Sequence, residues 1–423
     1  MRRAASVAGA AVLAALGFGC AREKAPNGTV PDTAGPMSGA SSADGNGRSE
    51  VLGAFLAEYW SLPVPAQGEG PDGFSDAERS LDPAVCGSCH PTQYAQWRTS
   101  LHAEAYSPGL AGQLIEGGLS KPSSVRQCQL CHAPLTEQQP WNAAGEAEPR
   151  YDPALRERGI VCASCHVRAH RHYGPPRRAD AAPVPGDLPH GGFEARSEFQ
   201  ESRFCAECHQ FFDQEGVEGK PVQNTFVEWR ASTHAEDGRT CQSCHMPDRA
   251  HTWRGIHDAE MVRGAVDVTL SDAVADDGRV TAVLVLTNHG VGHAFPTYVT
   301  PRVTLAAWQV DAEDREIADT RAELVIGRKI DFSASQERFD TRVLPGESEQ
   351  LEYAMPRSEA ARALIGRVTV DPGFHYRGVF RSLLGSLTNA DARARISEAL
   401  RGANASIYVL SEERSPLPRP PSG

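Results

Sequence analysis

The sequence predicts an α+β protein of two unlike parts: a mainly helical and irregular domain, then an all-β sandwich. Three observations carry this expectation. Ten of the 11 cysteines lie between Cys86 and Cys244, in five copies of one short motif. The cysteines then stop, and from about Arg263 the chain turns into short β-rich runs separated by Gly, Pro and Asp. Finally, 423 residues suit two or three domains. A composition 40% hydrophobic and 23% charged is that of a globular chain, not a collagenous, wholly disordered or polytopic membrane one. The net charge of −12 argues against a nucleic-acid partner, because binding phosphate backbones needs clustered Lys and Arg.

The N-terminus reads as an export signal. Met1-Arg2-Arg3 is followed by a small-residue apolar run from Ala4 to Phe18 and then Gly19-Cys20, so residues 1–19 have the layout of a signal peptide. The run is too short for a bilayer-spanning helix. Gly17 and Gly19 ahead of Cys20 resemble a bacterial lipoprotein processing site, which would make Cys20 the lipidated N-terminus. Leu16, four rather than three residues ahead, departs from that pattern, and ordinary cleavage nearby is the alternative. Residues 20–50 then read as an anchored or flexible linker, since 26–48 are rich in Gly, Ser, Ala, Asp and Pro and lack apolar periodicity. The expected location is outside the cytoplasm, as a periplasmic or cell-envelope lipoprotein that touches the membrane only through its lipid.

The repeated motif is Cys-x-x-Cys-His. It occurs as Cys86/Cys89/His90, Cys128/Cys131/His132, Cys162/Cys165/His166, Cys205/Cys208/His209 and Cys241/Cys244/His245. Chance gives about 0.01 such motifs for this composition. The pattern reads as c-type haem attachment, with two thiols forming thioethers and the adjacent His taking the iron. Zinc would need these units to pair into four-ligand sites, which five do not do evenly. A disulfide framework has no need of His after every second Cys. Five covalent haem c groups are therefore expected in a domain at 51–258. Successive first cysteines lie 42, 34, 43 and 36 residues apart, too irregular for a solenoid. Such stretches are also too short for separate cores, so the haems are expected to share one.

Ten further His supply sixth ligands, and His rather than Met is expected because Met246 directly follows His245. Pro91 suits a first helical position, with Tyr94, Trp97 and Leu101 as a helical stripe. On that helix His102 would lie roughly 18 Å from His90 and so serve a different haem. A helix continuing past the third motif would put His166 and His170 on one face, where they cannot hold one iron from opposite sides. Either His170 or His172 is expected to cap a neighbouring haem, and His170 is taken into the ligand set. His234, after Trp229 and ahead of Gly238, is a candidate ligand, as is one of His251 and His257, of which His257 is taken; His190 is weaker and His375 reads as structural. Arg168, Arg171, Arg177 and Arg178 read equally as propionate ligands or as a basic surface loop.

These motifs resemble the cytochrome c-554 type of multihaem cytochrome. The matching residues are Cys86-x-x-Cys89-His90 with Tyr94, Trp97, Ser100 and His102, then Gly159-Ile160-x-Cys162-x-x-Cys165-His166. Gly238-x-x-Cys241-x-x-Cys244-His245-Met246-Pro247 completes the set. The resemblance covers about residues 80–257. It implies packed, mostly bis-His haem pairs, electron transfer, and His102 and His234 as distal ligands. The fifth motif and the long C-terminal extension depart from a four-haem pattern.

In residues 259–423, β-rich runs at 265–270, 280–287, 302–310, 348–354 and 367–371 predict an antiparallel, immunoglobulin-like sandwich. A short helix is expected over 389–401 and a last strand over 407–410. Asn288-His289-Gly290-Val291-Gly292-His293-Ala294-Phe295-Pro296-Thr297 is a Gly-rich loop that either offers His293 as a distal ligand or makes a tight turn. The sequence favours an electron carrier with redox protein partners over an enzyme. The alternative is a multihaem oxidoreductase with one open iron, acting on a small nitrogen or sulfur compound with proton donors such as Tyr173 and Arg178. A third reading is a subunit docked into a larger respiratory complex through its β domain.

Overall fold

The computed structural model describes residues 46–117, 119–181, 188–211 and 216–418. The signal segment, Cys20 and nearly all of the linker lie outside them. By contacts the chain divides into two units, but not at one point along the sequence. The first holds the described residues up to Pro221 together with Thr240–Trp253 and Thr388–Ala392. The second holds Val222–Arg239, Arg254–Leu387 and the described residues from Arg393 onward.

The first unit is built from short helices whose starts are written locally. Proline occupies the first turn of Pro83–Cys86, Pro91–Trp97, Pro108–Ile115, Pro122–His132 and Pro153–Arg156, where a missing N–H costs nothing. Asp82, Ser107, Asp152 and Thr240 each accept a backbone N–H of the helix they precede. Its strands are minimal: β1 (Val167–Arg168), β2 (Arg171–Gly174), β3 (Glu194–Ala195), β4 (Gly216–Val217) and β5 (Lys220–Pro221). Apolar side chains gather in separate small clusters, one around Leu110, Leu114 and Val125, another around Val64, Leu135 and Val161.

The second unit holds nine antiparallel strands. They are β6 (Val266–Leu270), β7 (Val274–Asp276), β8 (Arg279–Asn288), β9 (Arg302–Val310), β10 (Ala322–Asp331), β11 (Gln336–Asp340), β12 (Ser348–Pro356), β13 (Ala363–Asp371) and β14 (Tyr408–Pro416). One sheet runs β11-β10-β9-β13-β14 and the other β12-β8-β6, with β7 also paired to β8. Along β8, Val280, Ala282, Leu284, Leu286 and Asn288 are buried and alternate with more exposed neighbours, the period-two signature of a strand with one face in the core. The sheets face each other closely at Gly366 of β13. A Cβ there would sit 3.1 Å from Leu270 of β6 and 3.3 Å from Leu284 of β8.

The strands expected from sequence are present, mostly longer than their apolar runs. The last extends to Pro416 and the C-terminal helix is Ala390–Ala405, capped by Asn389. The reading missed β7, β10, β11 and the helix Phe374–Leu384. In β10, Gly327, Arg328 and Lys329 interrupt the apolar alternation, and Arg328 is buried by pairing with Glu337 at 2.6 Å. Two local expectations are corrected. The helix after the first motif ends at Trp97, so His102 stands in the turns that follow rather than 18 Å along a helix. The third-motif helix stops at His166, and the chain folds back as a β1–β2 hairpin with Ala169 and His170 at φ 49° and 58°.

Candidate functional site

All five motifs lie in the first unit. Helices Pro122–His132, Cys162–His166, Arg203–His209 and Cys241–His245 each end on the motif His. In the first motif His90 instead precedes the helix Pro91–Trp97. Thiol contacts knit the motifs together. Cys86 is hydrogen-bonded to Cys162, Cys205 to Cys241 and Cys208 to Cys131. The first motif thus adjoins the third, and the fourth adjoins both the second and the fifth. Among the described residues no group of three or more His, Cys, Asp or Glu converges as a metal-ion cage, which a Cys₄ zinc site would require.

The imidazoles are oriented through one ring nitrogen. His132 Nδ1 donates to the Ala105 carbonyl at 2.7 Å, and His166 Nδ1 to the Tyr173 carbonyl at 2.7 Å. This fixes the tautomer and leaves Nε2 with its lone pair, as a metal-bound His requires. His251 Nδ1 is held likewise by the Arg249 carbonyl at 2.9 Å. The His102 and His209 ring centroids are 6.2 Å apart, and so are those of His166 and His251. Burial pushes the His102 pKa down to about 3, with His209 next in effect, and pushes His166 and His209 to about 4. At neutral pH these rings are uncharged and able to coordinate.

Those spacings can be tested against what one iron between two imidazoles needs. Metal–nitrogen bonds are about 2.0 Å. Ring bonds of about 1.33 Å put each nitrogen about 1.1 Å from its ring centre. The centroids should then lie about 6.2 Å apart, the separation both pairs show. With two cysteines beside each motif His, the residues fit covalent haem.

The remaining sequence candidates are placed unequally. His170 is buried, with Nε2 3.2 Å from the Gly68 carbonyl, whereas His172 stacks on His190 at 3.9 Å and has a buried Nδ1 without a hydrogen bond. Of His251 and His257, the sequence reading takes His257 into its ligand set. His251 stands beside His166, while His257 is exposed on the second unit. No sequence signal distinguished them, since both flank Trp253 at short range. His234 belongs to the second unit, is only 8% exposed, and neither ring nitrogen has a hydrogen-bond partner. It packs beneath the Gly-rich loop: a Cβ at Gly292 would lie 3.1 Å from His234 Cβ and 3.2 Å from Trp229 Cδ1. Buried Asn288 ties that loop down by donating to the His293 and Val343 carbonyls, each at 3.1 Å. His293 is half-buried with Nδ1 3.0 Å from the Ala294 carbonyl, and His375 packs edge-on against Phe332.

Gly159 has a physical role in the array. Its φ is +64°, and a Cβ there would meet the His102 carbonyl oxygen at 2.7 Å. Only glycine allows Ile160 N–H to reach that oxygen at 2.9 Å, which pins the His102 turn to the third motif.

Two comparisons bear on this arrangement. The family model described as cytochrome c554 and c-prime matches residues 85–167, the span of the first three motifs. A penta-heme cytochrome c552 from Thermochromatium tepidum has a similar fold, with a TM-score of 0.58 and 19% identity over 81% of this chain and 100% of that one. No curated protein matches. The likenesses support a multihaem c-type cytochrome family, the structural one through its fold alone.

Proposed function

We propose that this multihaem c-type cytochrome carries five haem c groups, one on each Cys-x-x-Cys-His motif, and transfers electrons to or from another redox protein. The observation that carries the proposal is the pair of 6.2 Å imidazole spacings, each joining a motif His to a His outside the motifs. When bound, haem supplies a one-electron iron couple whose potential follows its axial ligands.

The residues divide the work as follows. Cys86, Cys89, Cys128, Cys131, Cys162, Cys165, Cys205, Cys208, Cys241 and Cys244 anchor the haems. His90, His132, His166, His209 and His245 are the proximal ligands, and backbone carbonyls orient His132 and His166. The distal set we assign includes His102 opposite His209 and His251 opposite His166. His234 joins it because its two buried ring nitrogens lack partners. Of the remaining sequence candidates, His172 is preferred to His170, whose Nε2 already meets a carbonyl, and either His257 or His293 completes the set. Thiol contacts between motifs favour haems close enough to exchange electrons.

Residues 1–19 serve in this proposal as an export signal and Cys20 as a lipid anchor; no helix of the described residues is long and apolar enough to cross a membrane. Loss of fatty-acid labelling in Cys20→Ser tests the anchor. The second unit we read as an immunoglobulin-like sandwich. Its support is the strand order, in which β9, β13 and β14 adjoin β10 and β11 in one sheet and β6, β8 and β12 form the other.

Low-temperature EPR of the haem-loaded protein, with mass spectrometry counting the haems, tests the central proposal. Five covalent haems are expected, all low-spin and unchanged by carbon monoxide, nitrite or hydroxylamine. A high-spin haem that binds these ligands would replace the carrier with an oxidoreductase.

A further inference from the structure

One indole touches a member of each 6.2 Å imidazole pair. The Trp253 ring centroid lies 4.5 Å from that of His102, inclined at 60°, and 5.2 Å from that of His251, at 84°. Both fall in the tilted to edge-on arrangements that aromatic rings favour at such distances. We propose that Trp253 is a positioning residue that fixes the ring planes of His102 and His251, and thereby tunes the two irons they serve. The inference rests on the bis-His reading above and adds to it a residue that is neither a ligand nor part of a motif.

Three observations support it. The first is that no polar contact fixes the His102 plane, and a single ring hydrogen bond holds that of His251. Among the described residues no hydrogen bond reaches the His102 ring, so packing sets its plane. His251 is held at Nδ1 by the Arg249 carbonyl and through its backbone N–H by Gln96 Oε1 at 2.9 Å, which locates the ring while the indole faces it edge-on.

The second observation is backbone strain. Trp253 has φ +41°, a region that bulky side chains rarely enter. Such a conformation persists where the surroundings over-determine it, and it recurs where geometry is functional. The third is the rigidity of the platform. Trp253 packs on a cluster that includes Val64, Trp97, Leu135, Val161 and Ala163. Within it, Trp97 Nε1 donates to the Ile160 carbonyl at 2.7 Å, and Ile160 N–H in turn holds the His102 carbonyl. The indole and the His102 turn are therefore fixed to one frame, and the orientation of an axial imidazole plane governs the low-spin iron it binds.

The experiment is low-temperature EPR on the haem-loaded full chain. His102→Ala and His251→Ala first assign two signals, each variant converting one low-spin haem to high-spin. Should neither do so, the bis-His reading fails and this inference with it. Given the assignment, Trp253→Leu is expected to shift the g values of those two signals while the other three stay, and Trp253→Phe to shift the same two by less. If the leucine variant yields no haem-loaded protein, the phenylalanine variant decides on the same criterion. Unchanged g values for both assigned haems, or equal shifts in all five, would overturn the role of Trp253 and leave the bis-His reading standing.

Discussion

The two units bury apolar surface in contrasting ways. In the second, Leu284 and Leu286 of β8, Leu305 of β9, Ile326 of β10, Tyr353 of β12 and Leu364 of β13 are at most 1% exposed and belong to one cluster fed by both sheets. In the first, helices of 4 to 14 residues surround separate small clusters. Between them stand the motif imidazoles, and His132 and His209 are accessible at their surfaces although burial lowers their pKa values. The contrast teaches that the sheet unit closes one core with its own side chains, whereas in the proposed function the motif unit would complete its core with the groups bound to its cysteines.

The sharpest way to break that comparison is to remove one attachment. Cys205→Ser with Cys208→Ser alters the motif whose thiols meet both Cys241 and Cys131. Mass spectrometry should find at least one haem fewer, and limited proteolysis should degrade the first unit while a fragment from about residue 254 onward resists. Degradation of both units together would show that the sheet unit lacks independent stability. Next in size, Leu284→Ala should lower the stability of the sheet unit by about 2–5 kcal/mol through the cavity it leaves, as read by its denaturant midpoint. The haem spectra should stay unchanged; a spectral change would mean the two kinds of core are coupled.

The smallest expected effect is at Gly292. Gly292→Ala presses a methyl group against His234 and Trp229 and should cost about 1–3 kcal/mol. In the proposed ligand set it should also shift one low-spin EPR signal. A stability loss with every signal unmoved would remove His234 from that set.

How much was legible varied with the range of the interaction involved. Helix starts are local events, so Pro91 after His90 located a helix correctly, but its end at Trp97 was not legible. The strands 302–310 and 280–287 announced themselves as short β-rich runs between turn residues. β10 did not, because buried Arg328 is offset by Glu337 from the neighbouring strand, a partner that periodicity cannot reveal. The fold-back after His166 escaped notice because it needs Ala169 and His170 in left-handed backbone, a conformation those residue types do not advertise.

The sequence by itself determined where the five Cys-x-x-Cys-His motifs lie, and that a β-rich region follows them. That information is local, since a Cys-x-x-Cys-His unit needs only five consecutive residues to present two thiols and an imidazole. Only the tertiary structure decided which motifs adjoin and which imidazoles face each other. It brings His251 beside His166 and His102 beside His209, sets Trp253 against both outer rings, and groups His234 with the sheet unit seven residues before Cys241. Those pairings link residues up to 151 positions apart, His102 to Trp253, across connecting turns whose geometry depends on side-chain packing and long-range hydrogen bonds. No spacing rule along the chain encodes them.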